Sequence, residues 1–133
     1  MYRKSYKGFV AGLIIFLALM VGIILLPAEN EYLPMRLIML LVVWYMAALS
    51  FHVWRTERIY WYNGTDFEAA EAAGSERRKA FAWRHFRIFG VFALIMTALS
   101  CGMQLLGWSA WIDFTVGTVG ICVAGFMTIP IKL

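Results

Sequence analysis

Four apolar runs, Gly8–Pro27, Arg36–Trp54, Ile88–Gly107 and Trp111–Ile129, take up most of this 133-residue chain. Each approaches the ~20 residues that an α-helix needs to cross about 30 Å of hydrocarbon. The runs are continuously apolar and lack period-2 alternation, so they read as helices rather than barrel strands. Only 15% of the residues are charged, against about a quarter in a soluble domain. Too little polar sequence remains to cover a soluble core. The expected fold is an all-α integral membrane protein, a single domain over residues 1–133. Its four transmembrane helices form two antiparallel hairpins, separated by a short amphipathic helical segment over residues 55–87.

The first run follows Arg3, Lys4 and Lys7, as a signal peptide would. It is longer than the apolar stretch of a signal peptide and no small-residue cleavage pattern follows. It is read as an uncleaved first span.

Charge distribution predicts the orientation. Of twelve Lys and Arg residues, eleven fall on one side: three before the first span, seven between Arg55 and Arg87, and Lys132. Arg36 is the exception, at the edge of a connection that carries Glu29 and Glu31. Cations accumulate on the cytoplasmic side, which puts both termini and the 55–87 segment in the cytoplasm, in a plasma membrane of bacterial type. The same clustering at membrane boundaries argues against nucleic acid as a partner.

The 55–87 segment is an elbow with its own punctuation. Asn63-Gly64 marks a turn. Thr65 and Glu68 have the spacing of a capping box for a short helix, Asp66–Ala73, that ends at Gly74. Ser75 is the expected cap of a second helix that runs on into the third span. Arg77, Arg78, Lys79 and Arg84 cluster there with Trp83. Basic and aromatic residues of this kind suit anionic lipid headgroups or a docked partner.

Asp113 is the one acid inside a predicted span. Asp113, Gly117, Gly120 and Ala124 share one helix face, and Ala93, Thr97, Ser100 and Gln104 share another. With a tight turn between the two spans, Gln104 pairs in depth with Asp113, Ser100 with Gly117, Thr97 with Gly120, and Ala93 with Ala124. Small residues in register permit close helix packing. A Gln104–Asp113 hydrogen bond is expected to satisfy both groups. Cys101 and Cys122 differ in depth by roughly 10 Å at 1.5 Å per residue, too far for a disulfide, and are read as small packing residues. His52 and His85 stand alone, without metal-ligand spacing.

Gly8-x-x-x-Gly12 in the first span and Ala47-Ala48 in the second favour close packing or a homo-oligomer. The sequence contains no nucleophile–base pattern and no phosphate-binding glycine loop, so neither catalysis nor a cofactor is expected. The leading functional expectation is an accessory or interaction subunit, alone or with a larger membrane protein partner. The alternative is a small oligomeric transporter or channel, with a polar path along Asp113, Gln104, Ser100 and Thr97. The size and four-span layout resemble the small multidrug-resistance transporters. Those depend on a glutamate in the first span, whereas the first span here has no acid.

Overall fold

The computed structural model describes residues 2–27, 32–62 and 64–133. The predicted roles of Glu29, Glu31 and Asn63 therefore lie outside the described residues. The chain is all-helical: α1 (Lys7–Ile24), α2 (Tyr32–Thr56), a 3₁₀ turn (Ile59–Trp61), α3 (Phe67–Ala72), α4 (Gly74–Leu105) and α5 (Ala110–Thr128). Four of these, α1, α2, α4 and α5, are long and apolar enough to cross a membrane.

Local chemistry accounts for the boundaries. Pro34 falls in the first turn of α2, where a helix tolerates a missing N–H. The α2 helix stops at Glu57, which has φ +59°. That left-handed conformation is normally taken by glycine at a helix end. Asp66, rather than the expected Thr65, caps α3: its carboxylate accepts from the Ala69 N–H at 2.6 Å. Ser75 does not cap α4, because its hydroxyl donates to Glu57 instead, at 2.8 Å. As expected, the second elbow helix and the third apolar run form one continuous rod, the 32 residues of α4. At 1.5 Å per residue it is about 48 Å long, well beyond a hydrocarbon core. Gly107 at φ +70° closes its end, with the Trp108 N–H reaching back to the Met103 carbonyl at 2.9 Å. Ser109 then caps α5.

The second helix is the hub, packing against α1, α4 and α5. Its buried positions, Arg36, Met39, Val43, Ala47, Ser50 and Val53, recur every three or four residues and so form one stripe. The dry centre joins Met39, Val43 and Ala47 to Phe89, Ala93 and Met96 of α4 and Ala124 of α5. A second cluster ties Val53 to Ile59, Tyr60, Ala70, Phe81 and Ala82 at the elbow. No residue of α1 is buried, so this helix is held along one flank of α2.

The small-residue faces of α4 and α5 are not turned wholly to one another. A side chain at Gly117 would strike Met39 of α2, whereas one at Gly120 would strike the Phe92 ring of α4. The α5 helix sits in the groove between α2 and α4, and its small-residue face is divided between them. Cys101 and Cys122 are free thiols on the outer surface, not packing residues between the helices.

Gly120→Ala is expected to lower the melting temperature in detergent, because a clash with a ring outweighs the ~1 kcal/mol propensity gain of alanine in a helix. Phe92→Leu in the same chain should recover the loss. Gly22→Ala meets open space and should be neutral or stabilising.

Candidate functional site

Two polar constellations sit at opposite ends of the α2 stripe. At the end near the α4–α5 turn, Arg36 projects from the second turn of α2 and meets Asp113 in the first turn of α5. The Arg36 Nε lies 3.1 Å from Asp113 Oδ2, and the two side chains are only 7% and 1% exposed. The remaining guanidinium nitrogens donate to backbone carbonyls: Nη1 to Ser100 at 3.3 Å, and Nη2 to Trp108. Asp113 has its negative charge at a helix N-terminus, which the macrodipole favours. Its contact with Arg36 is a charge contact off the N–H axis. Neither carboxylate oxygen accepts an aligned hydrogen bond from a described residue. The pair is therefore held by Coulomb attraction in a low-dielectric site. There each ion has lost several kcal/mol of hydration, roughly offset by its partner.

This arrangement regroups the predicted polar set. Asp113 and Ser100 are brought together, by Arg36. Gln104 is exposed and does not bond Asp113, so the expected amide–carboxylate pair is replaced by an ion pair. Thr97 is engaged elsewhere: its hydroxyl donates to the Ala93 carbonyl at 2.8 Å and accepts from the Trp44 indole at 2.9 Å. Sequence reasoning treated Arg36 as a flanking charge and paired only consecutive helices. A usable signal was present nonetheless. Arg36 is the one cation off the basic side, and Asp113 is the one intraspan acid, near the same end.

The opposite constellation centres on Glu57, which sequence reasoning passed over. Its Oε2 accepts from Arg78 Nε at 3.0 Å and Nη2 at 2.9 Å. Its Oε1 accepts from Ser75 and lies 3.5 Å from Lys79 Nζ. Arg78 also donates to the Ala70 carbonyl at 3.0 Å and stacks over the Tyr2 ring, 4.1 Å from its centroid. The Tyr2 hydroxyl donates to the Glu57 carbonyl at 2.6 Å. Further along the N-terminal tail, the Ser5 N–H donates to the Tyr60 hydroxyl at 2.7 Å. Ser5 in turn accepts from Tyr60 and Trp61. The tail is thus strapped across the elbow.

Burial pushes the Glu57 carboxyl up, but the hydrogen bonds from Ser75 and Arg78 and the charges of Arg78 and Lys79 outweigh it. The group is left below its ordinary 4.5. Burial raises the Tyr2 phenol to about 12, against the opposing pull of Arg78. It therefore remains a donor at neutral pH.

The predicted lipid or partner residues divide accordingly. Arg77, Lys79, Trp83 and Arg84 are exposed, whereas Arg78 is buried and serves the interior. A guanidinium offers five donors in a planar fork, which suits it to tie a helix end, a carboxylate and a ring together at once. Among the described residues there is no group of three or more His, Cys, Asp or Glu able to hold a metal. No protein family, curated protein or solved structure matches the chain.

Removing one member of the buried pair, by Asp113→Asn or Arg36→Met, should destabilise the fold by about 3–5 kcal/mol. The double replacement Arg36→Met with Asp113→Leu should restore most of that, as read by thermal unfolding in detergent. Glu57 supplies a pH dependence of definite sign. Its folded pKa is depressed, so its contribution is complete above about pH 4.5 and is lost as pH falls through the lower folded value. Glu57→Gln should flatten the acid limb of stability below that pH and lower stability at neutral pH.

Proposed function

We propose that the chain is an integral membrane protein of the plasma membrane, whose four long helices cross the bilayer as two antiparallel hairpins. We infer further that it works by binding, as an accessory or interaction subunit, rather than by transport or catalysis. Several observations support the membrane arrangement. Large apolar side chains such as Ile14, Leu94 and Phe126 are more exposed than buried on the outer faces of α1, α4 and α5, as lipid contact requires. Phe16 stacks on Tyr45, and Gly8 approaches His52, so α1 and α2 run in opposite directions. The tail and the elbow are bound to one another, which keeps the N-terminus and residues 57–78 on one side. The positive-inside rule makes that side cytoplasmic.

The single observation that carries the functional reading is the filled interior between the two polar ends. Met39, Val43, Ala47, Phe89, Ala93, Met96 and Ala124 close it. Arg36 and Asp113 are spent on one another, and Ser100 gives its carbonyl to Arg36. They form a structural staple rather than part of a polar route. The exposed Arg77 and Arg84, with Trp83 beside them, are placed to meet anionic headgroups or a membrane partner, whereas Lys79 is shared with Glu57, and the flank of α1 is open to a second chain.

In native membranes, a membrane-impermeant maleimide should leave Cys101 and Cys122 unlabelled, whereas a lipid-soluble reagent should modify both. Ready labelling by the impermeant reagent would overturn the membrane arrangement. In proteoliposomes the chain should support no proton or ion flux above protein-free vesicles. A flux abolished by Asp113→Asn would replace the binding reading with a transport one.

A further inference from the structure

Arg84 and Arg87 are both exposed on α4. Their spacing, i and i+3, makes them neighbours on the helix surface. Neither pairs with a described carboxylate. Two like charges therefore stand side by side, where they repel one another and no described acid relieves them.

Both arginines line the elbow end of a single groove between α4 and α5, with a volume of about 630 Å³. Beyond them its walls are apolar, with Phe92 and Ile95 on α4 and Val123 and Met127 on α5. No acid lines it. The α4 wall runs from Arg84 to Ile95, which is about 16 Å at 1.5 Å per residue. That is roughly half of a ~30 Å hydrocarbon core, the depth of one leaflet. Arg87 comes directly before Ile88, where the third apolar run begins, so the charged end of the groove falls at the headgroup boundary. The adjoining groove between α2 and α4 shares Arg87 but has no second cation.

We propose that the α4–α5 groove binds an anionic phospholipid of the cytoplasmic leaflet. One acyl chain lies along Phe92, Ile95, Val123 and Met127, and the phosphate oxygens are held between the guanidiniums of Arg84 and Arg87. Charge complementarity selects this occupant. A guanidinium fork matches two phosphate oxygens at once, and basic pockets between helices on the cytoplasmic side suit anionic headgroups. An anionic headgroup supplies the counter-ion that the arginines lack, whereas a zwitterionic one brings a cation of its own. The site rests on the membrane reading above and deepens it, by naming the lipid class and its seat.

The test uses the whole chain in a neutral maltoside detergent, with binding read by native mass spectrometry. The probes are a palmitoyl-oleoyl phosphatidylglycerol, the phosphatidylcholine with the same chains, and glycerophosphoglycerol, which is the anionic headgroup without chains. One phosphatidylglycerol should be retained per chain, at least about tenfold more tightly than phosphatidylcholine. Glycerophosphoglycerol should not be retained.

Arg84→Gln with Arg87→Gln should weaken phosphatidylglycerol roughly tenfold or more. Arg3→Gln with Arg55→Gln removes the same charge from two exposed residues outside the groove and should leave binding within about twofold of the parent. Val123→Trp is the steric variant. Val123 is 52% exposed, so the indole should occupy the groove in a folded chain and abolish retention. Any one of four results overturns the proposal: phosphatidylcholine or glycerophosphoglycerol binds as tightly as phosphatidylglycerol, the Arg84 and Arg87 double variant binds like the parent, the Arg3 and Arg55 double variant loses as much, or Val123→Trp still retains the lipid. The maleimide labelling described above tests the membrane reading separately, so a chain that passes it and fails here loses the lipid site alone.

Discussion

A guanidinium with almost no contact to water must be surrounded by oxygen, and Arg36 meets that demand with groups from two other helices. The Asp113 carboxylate comes from α5, and the Ser100 and Trp108 carbonyls come from α4 and the turn after it. One side chain thereby fixes the depth and rotation of three helices relative to one another. Leucine packing along a rod tolerates sliding, but a buried charge does not, because any shift that separates the ions exposes the full desolvation cost.

The other end of α2 is fixed in the same way with the charges reversed. There the α2 chain supplies the acid, Glu57, and α4 supplies the cation, Arg78. Glu57 adopts a left-handed backbone conformation that costs on the order of 1–2 kcal/mol in a residue with a Cβ. A glycine would turn the chain without that cost but would leave Arg78, Ser75 and Lys79 without their carboxylate. Between the two ion pairs the α2 stripe is dry, and the α2–α4 seam holds the centre. The result is a stapled pair of helices with α5 seated in their groove and α1 laid along one flank. On the proposed membrane reading, the outer staple lies near one headgroup layer and the elbow near the other.

Much of the architecture was legible in advance. The four apolar runs become α1, α2, α4 and α5 within a few residues, except that α2 begins four residues early and α4 begins in the elbow, at Gly74. The continuity of the elbow helix with the third run was also legible, since nothing between Ser75 and Leu105 breaks a helix. The cap of α3 was placed one residue too early, because Thr65 and Asp66 are both good caps and spacing alone does not rank them. The site was read less well. Ser100 and Asp113 do share a locus, but the group that joins them belongs to α2. Gln104 and Thr97, chosen by depth matching between consecutive helices, turn to other surroundings. Arg78, read with its neighbours as surface charge, points inward, because a helix face is decided by where Tyr2, Glu57 and the α3 carbonyls lie.

Length and polarity by themselves determined how many apolar rods this chain has, where they begin and end, and which flanks are basic. Those properties follow from hydrogen-bonded turns and from the run length of apolar side chains, both local along the chain. Only the tertiary structure decided which charge meets which. It matched Arg36 with Asp113 and Glu57 with Arg78, split the glycine face of α5 between two neighbours, and strapped the tail to the elbow. These pairings join residues distant in sequence. They are set by how three-dimensional surfaces fit, and no periodicity within one helix encodes which neighbour it will face.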